Sequence, residues 1–224
     1  MNEYDKYQAG DIVGVLGGRF STVSEHVFYP PTRLYHFLVL DRHDTQRQDM
    51  ELHEAISSGV RGGRLSWYQN DVYVVFRPSL LAGGITQEVG ERVGIAASEF
   101  GRWGYDYLMY LYLLFEVPRV FLRNLVKEHR ARPLRPDELR YYCDHAVICT
   151  AFANKLWLEQ GGENFAPVGP RVIALPAGYI AALRAGRLKV VGLNIPFARH
   201  NELPVLRLID ELDADRTRRA SRPL

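Results

Sequence analysis

The first third of the chain alternates apolar runs with polar or glycine-containing segments, a pattern typical of consecutive β-strands. A long polar loop and a polar turn interrupt the series, and a proline closes it. We predict about five strands, at 11–16, 34–40, 50–56, 59–68 and 72–76, with a loop at 19–33, a turn at 41–49 and Pro78 at the end.

After Ile85 the apolar positions recur every three or four residues, which indicates helices. The predicted helices cover 85–100, 107–127 with a bend at Pro118, a stretch from 144 or 146 to Gly161, and 176–184; a last strand covers 188–193. Strands followed by helices imply one α+β domain, over residues 1–202, with a polar tail at 203–224.

Composition narrows the classes of protein to which the chain can belong. The 28 Lys and Arg nearly cancel the 26 Asp and Glu, which leaves a net charge of +2 and removes the electrostatic argument for a nucleic-acid partner. The acidic, polar amino terminus does not resemble a secretory signal, so we expect a cytoplasmic protein. The apolar run at 107–115 is too short to span a membrane. It is expected in the core, although one aromatic face could line an apolar substrate groove.

Cys149 is the first candidate for chemistry. It precedes Thr150 near the start of a predicted helix. A thiol there is exposed to the positive end of the helix dipole and to free N–H groups, which favour a thiolate and offer an oxyanion hole. The alternative is that Cys149 is a small buried apolar residue.

His36 and Glu54 both lie inside apolar strands, where an unpaired imidazole or carboxylate is costly. Each is either a core residue with a polar partner or a member of a site. If the two strands pair in an antiparallel sheet, His36 and Glu54 are neighbours on one face. His53 then points to the opposite face and cannot join Glu54 in one small site.

No metal site or cofactor is predicted. Cys143, His145 and Cys149 do not have a usual zinc spacing, and no second cluster follows them. The glycine-containing segments at 59–63 and 81–84 lack the signature of a phosphate loop.

Taken together, these residues resemble the permuted NlpC-type branch of the papain-like cysteine hydrolases, in which the histidine strand precedes the cysteine helix. The matching pieces, spread over residues 9 to about 193, are Ala9-Gly10-Asp11-Ile12-Val13, the strand with His36, Glu54-Ala55 with Gly59-Val60, Val74-Val75-Phe76-Arg77-Pro78, Tyr105-Asp106-Tyr107, Ile148-Cys149-Thr150 and Leu175-Pro176-Ala177. The resemblance implies a permuted papain-like fold: an antiparallel sheet or partial barrel packed against helices, with the cysteine at a helix amino terminus.

The resemblance also implies roles for individual residues. Cys149 is the nucleophile, His36 the general base and acid, and Glu54 the group that orients the imidazole, while Cys143 is a structural or bystander thiol. Substrate-binding residues are predicted in or beside the matching pieces: Tyr35, Tyr105 and Tyr107. Two departures are Tyr35, where the family usually has a small residue, and the 18 positions between His36 and Glu54.

The expected function is a cysteine peptidase or amidase that cleaves an amide bond in a peptide or small molecule, such as a cell-wall-derived peptide or an acylated amino compound. One alternative is a lipid-directed acyltransferase or thioesterase on the same scaffold, suggested by the apolar segment from Tyr107 to Val126. Another is a non-catalytic binding protein that retained the fold.

Overall fold

The computed structural model describes residues 3–17, 25–79, 87–99, 104–105, 107–135, 138–139, 146–165 and 175–200. Its strands are β1 (Ile12–Leu16), β2 (Leu34–Asp44), β3 (Asp49–Ile56), β4 (Gly59–Arg64), β5 (Tyr73–Pro78), β6 (Gly104–Tyr105), β7 (Ala146–Val147) and β8 (Leu188–Asn194). The α-helices are α1 (Gln87–Glu99), α2 (Tyr107–Glu128), α3 (Cys149–Gly161) and α4 (Pro176–Arg184).

Six strands form one antiparallel sheet in the order β4-β3-β2-β1-β5-β8. The five strands from the first third lie side by side in this sheet, with β5 next to β1. Strand β8, which follows the helices in the sequence, pairs with β5 at the edge. Strands β6 and β7 form a separate parallel pair that the sequence pattern does not predict. The predicted α+β class, with an antiparallel sheet packed against helices, is confirmed, and the sheet is open, with β4 and β8 at its edges.

Both faces of the sheet are covered. Helices α1, α3 and α4 pack on one face, in a core that includes Phe37, Phe76, Trp157 and Tyr179. The other face packs against the amino-terminal 3-10 turn and the turn after β4, through Tyr4, Tyr7 and Leu65. Burial on both faces explains why the central strands read as continuous apolar runs, and all five residues of β1 are buried.

Helix α2 packs on the other described residues through the side that carries Val120. Val120 belongs to a third apolar cluster that joins the loop around Phe28 and Leu134 to the start of α3 and α4. The expectation that 107–115 is core is wrong for five of its residues, which are exposed: Tyr107, Leu108, Leu111, Leu114 and Phe115. The sequence shows that these positions are apolar but not on which side of the helix the body of the protein lies. No helix in the described ranges is long and apolar enough to cross a membrane.

The element boundaries differ from the sequence pattern in two places. Helix α3 begins at Cys149 rather than at 144 or 146, because Ala146–Val147 pair as a strand with β6. The polar segment at 41–49 is mostly strand: β2 continues to Asp44 and β3 begins at Asp49. Gly162 ends α3 in the left-handed conformation, at φ 70°. Cys143, His145 and the tail at 203–224 lie outside the described residues.

A buried ion pair ties β1 to β5. Asp11 is fully buried, and its carboxylate accepts hydrogen bonds from Arg77 Nε at 2.9 Å and from Arg77 Nη2 at 2.8 Å. The backbone N–H of Gln8 donates to the same carboxylate at 3.0 Å. Charge inside the core is tolerated here because each carboxylate oxygen has a charged or backbone donor.

We expect Arg77→Met to lower the free energy of unfolding by about 3 to 5 kcal/mol, since it leaves the Asp11 charge buried without its ionic partner. Arg47→Met is the matched control, because Arg47 pairs with Asp44 at the surface, where an ion pair contributes less than about 1 kcal/mol. Urea unfolding of both variants measures the difference, and equal losses would contradict the buried-pair interpretation.

Candidate active site

The site is formed where β2 begins, at a β-bulge. Val15 of β1 pairs with His36, but the next residue, Leu16, pairs with Leu34, so Tyr35 is the extra residue of β2. The bulge reverses the alternation of side chains: Leu34 lies in the helix-covered core with Phe37, although the two are three residues apart. It places the Tyr35 carbonyl and the His36 side chain at the end of the sheet that α3 approaches.

His36 and Glu54 come together as the sequence predicts. Strands β2 and β3 are antiparallel, with Leu38 opposite Glu54, so His36 and Glu54 are diagonal neighbours on one face. His36 Nε2 lies 2.5 Å from Glu54 Oε2. His53 projects from the opposite face and pairs with Asp41, at 3.1 Å between Nε2 and Oδ2.

Glu54 is fully buried and is surrounded by donors from three elements. Besides His36, it accepts a hydrogen bond from the Tyr68 hydroxyl, in the 3-10 turn after β4. Arg61, directly opposite Glu54 on β4, places Nε 2.9 Å and Nη2 2.8 Å from Oε1. These contacts compensate the cost of burying a carboxylate and fix its orientation toward the imidazole.

The same contacts set the charge states of the pair. Burial alone would raise the pKa of Glu54, but the hydrogen bonds from His36, Tyr68 and Arg61 outweigh it and lower that pKa to about 2. Burial likewise disfavours a charged imidazole, yet hydrogen bonds to Cys149 and Glu54 raise the pKa of His36 to about 9. Burial and the Glu54 contact also raise the pKa of the Tyr68 phenol, which therefore donates its proton to the carboxylate. At neutral pH the pair is a carboxylate and an imidazolium.

Cys149 is the first residue of α3 and is 6% exposed. Its thiol donates to the carbonyl oxygen of Tyr35, the residue before His36, at 3.6 Å, and the interaction with Cys149 is one of the causes that raise the pKa of His36. Because Glu54 takes Nε2, the ring nitrogen that remains for the sulfur is Nδ1. The structure thus places Cys149 beside the pair formed by His36 and Glu54.

The N-cap residue of α3 provides no side-chain cap. The N-cap residue is Ile148, which has no acceptor, so no side chain of that residue occupies the N–H groups of the first turn. The helix is held from behind: the Tyr179 hydroxyl donates to the Thr150 carbonyl at 2.7 Å, and Trp157 Nε1 donates to Gly10 O at 2.9 Å. A fixed helix end that Ile148 leaves without a side-chain cap, and that carries a thiol, suits the binding of a developing anion.

The three tyrosines predicted to bind substrate differ in position. Tyr35 adjoins the site: it is half-exposed, its ring centroid lies 6.0 Å from that of His36, and burial and then the charge of Asp71 raise the pKa of its phenol. Tyr105 is in β6, whose partner Val147 lies two residues before Cys149. Tyr107 is exposed at the start of α2 and donates to the carbonyl of Ser57, in the turn between β3 and β4.

Sequence reasoning missed Arg61 and Tyr68. Arg61 could have been found, because a two-residue turn at Ser57-Ser58 puts Arg61 directly opposite Glu54 in a hairpin. Tyr68 left no such signal, since its position depends on the 3-10 turn that follows β4.

Two further features bear on ligands. An open cavity of about 1070 Å³ lies elsewhere on the sheet, lined in part by Asp41, His53 and Trp67, and it does not include the Cys149 site. Within the described part of the chain, no group of three His, Cys, Asp or Glu side chains could hold a metal ion.

Comparisons with known proteins find similarity in structure but not in sequence. No family model and no curated protein matches the sequence. The fold is similar to that of the metalloprotein yiiX from Escherichia coli O157:H7, described as DUF1105, with a TM-score of 0.55 and 14% sequence identity over 85% of this chain and 99% of that one. At this identity the likeness concerns the fold alone.

The resemblance to the permuted NlpC-type cysteine hydrolases is therefore wrong as a family assignment, because the sequence matches no model of that family and the similar structure bears the description DUF1105. The pieces that suggested it are two to five residues long, and pieces of that length recur in unrelated α+β chains. The contacts among Cys149, His36 and Glu54 do not depend on that assignment.

The Glu54–His36 pair should make stability depend on pH. The pKa of His36 is raised from 6.5 to about 9 by folding, so the charged imidazole stabilises the folded protein. This contribution is fully present below about pH 6.5 and is lost as the pH rises through about 9. The pKa of Glu54 is lowered from 4.5 to about 2 by folding, so the carboxylate stabilises the folded protein above about pH 4.5. This contribution is lost as the pH falls toward 2. The loss in unfolding free energy caused by Glu54→Gln should therefore be largest between about pH 4.5 and 6.5.

Denaturant unfolding of the wild type and of Glu54→Gln at a series of pH values measures this loss. Glu51→Gln, on the same strand, is the control, because its partner Arg42 is exposed and the pair contributes little at any pH. A loss for Glu54→Gln that does not change with pH would exclude the ion pair.

Proposed function

We propose that the protein is a cysteine hydrolase that cleaves an amide bond through Cys149, His36 and Glu54. The observation that carries this proposal is the position of the Cys149 thiol at the amino terminus of α3, bonded to the carbonyl of Tyr35 and so beside His36, whose ring is bonded to the buried carboxylate of Glu54. Nucleophile, base and orienting group are the three parts that such a reaction needs, in the order in which it needs them.

In the proposed reaction the proton of the Cys149 thiol is held on His36, and the sulfur attacks the carbonyl carbon of the substrate. The carbon–nitrogen bond breaks as His36 gives its proton to the leaving amine, which leaves a thioester on Cys149. A water molecule then loses a proton to His36 and attacks the thioester, and the acid product departs as the thiol re-forms. The sum is an amide plus water giving an amine and a carboxylic acid.

The surrounding groups support individual steps. The N–H groups in the first turn of α3 are suited to hold the oxyanion that forms during each attack. Glu54 keeps the imidazole oriented, and Arg61 and Tyr68 act through Glu54 as positioning residues. Tyr35 and Tyr107 are the exposed aromatic side chains proposed to contact the substrate.

The proposal uses no metal. The similar structure is called a metalloprotein, but the described residues of this chain do not assemble a set of metal ligands, so no step is assigned to an ion. The finer prediction of a permuted papain-like arrangement remains part of the proposal as a description of geometry rather than of family. It is supported by the order of the elements, in which the cysteine helix follows the histidine strand and packs on its sheet.

A second candidate reaction is transfer or hydrolysis of a fatty acyl group by the same residues. The exposed apolar face of α2 favours it, because α2 begins at Tyr107, whose hydroxyl contacts the turn that follows the Glu54 strand. A panel of peptide amides and long-chain acyl esters separates the two, according to which class is turned over with the higher kcat/KM.

We expect iodoacetamide to alkylate Cys149 and to abolish turnover. Cys149→Ala should lose both the label and the activity, whereas Cys143→Ala should keep both and serves as the matched control. Mass spectrometry of the labelled peptides identifies the site. A label carried entirely by Cys143, or an active Cys149→Ala variant, would exclude the proposed nucleophile.

Loss of the proton on His36 should set the alkaline limb of the pH profile of kcat/KM. Because the leaving amine takes its proton from His36, kcat/KM on the amide substrate should fall as the pH rises through about 9. Glu54→Gln removes one of the two partners that raise the pKa of His36, so its alkaline limb should lie at lower pH, with a reduced maximum. Glu51→Gln should keep the wild-type profile, and an unchanged limb in Glu54→Gln would contradict the role of Glu54.

A further inference from the structure

Helix α2 presents an apolar face to solvent. Its exposed apolar side chains, each between 37% and 73% accessible, are Tyr107, Leu108, Leu111, Leu114, Phe115, Leu122, Leu125 and Val126. At 100° per residue these positions fall within an arc of about 120°. We call this surface the α2 face. Val120 and Asn124, on the opposite side of the helix, are buried against the body of the protein.

Helix α2 carries three cations on one side of this face, and two carboxylates, Glu116 and Glu128. Arg119, Arg123 and Lys127 are spaced four residues apart and are exposed, so they form a row that starts at the edge of the apolar arc and turns about 40° further from it at each step. Arg119 is paired with Glu116, whereas neither Arg123 nor Lys127 forms an ion pair with another described residue. An apolar arc with exposed cations beside it is complementary to a surface that has an apolar interior and anionic head groups.

We propose that the α2 face docks the protein on an anionic lipid membrane, with α2 lying in the plane of the interface. The helix has 22 residues, about 33 Å in length, yet it does not meet the requirement for a membrane span. In this orientation its apolar side chains enter the acyl boundary, while Arg123 and Lys127 remain at the level of the phosphates.

Docking would also place the candidate active site near the bilayer. The Tyr107 hydroxyl donates to Ser57 O at 2.7 Å, and β6, just before α2, pairs with β7, just before Cys149. The amino-terminal end of α2 therefore adjoins the Cys149 region. Access to a membrane-borne substrate rests on the proposed function, but docking itself does not.

The test is co-sedimentation of the full chain with large unilamellar vesicles of phosphatidylcholine, with or without one quarter phosphatidylserine. We expect binding to the anionic vesicles that weakens by about fivefold for each charge removed in Arg123→Gln/Lys127→Gln, and that weakens with salt. Leu108→Ser/Phe115→Ser should reduce binding at least about tenfold. Ile95→Ser/Phe197→Ser, which removes two exposed apolar side chains elsewhere, should bind as the wild type does.

Urea midpoints equal to that of the wild type would show that the variants remain folded. Cys149→Ala should bind vesicles normally, which separates failure of docking from failure of the proposed reaction. The proposal is overturned if the wild type stays in the supernatant with both kinds of vesicle, or if the α2-face variants bind unchanged. It is also overturned if the α2 face instead holds two copies together, seen as a dimer in sedimentation equilibrium that Leu108→Ser/Phe115→Ser dissociates without any vesicle binding.

Discussion

A carboxylate with no exposure to water constrains the structure around it more than any other group here. Glu54 must be met by donors, and it draws them from three places: His36 on β2, Arg61 on β4 and Tyr68 in the turn beyond. Because leaving one of those donors out would strand a buried charge, the register of β2, β3 and β4 and the path of the chain after β4 are linked to this one side chain.

The bulge at Tyr35 is what allows two sides of the sheet to share one site. His36 and Glu54 lie on the face covered by the amino-terminal turn, whereas α3 packs on the other face. Regular alternation would keep a cysteine on α3 apart from both. The extra residue lets the Tyr35 carbonyl accept from the thiol while His36 stays within reach of it. A local irregularity of the backbone therefore does the positioning that a regular strand could not.

Much of the fold could be predicted from the sequence, because strand and helix periods are local properties. The strands around His36 and Glu54 and the helix at 176–184 are examples. The strand Ala146–Val147 could not, since two residues acquire a partner only through the path of the whole chain. The pairing of His36 with Glu54 was predictable because two polar residues in apolar strands each required a partner, whereas Cys149 was grouped with them only through the family resemblance. Arg61 could be predicted as a partner of Glu54 from the hairpin register, which puts the two residues opposite each other. Tyr68 could not, because its position depends on the 3-10 turn after β4.

For helix α2 the hydrophobic pattern does not predict which side of the helix is buried. The pattern identifies an apolar arc, and burial in the core is the usual consequence, so the sequence predicts that the segment lies in the core. The structure instead turns Val120 inward and leaves the wider arc outside. An apolar face of this size in contact with water is unfavourable, and the free energy that would be gained by covering it is available to whatever binds there. The row formed by Arg119, Arg123 and Lys127 then discriminates among possible surfaces, since it favours one that carries negative charge at its border.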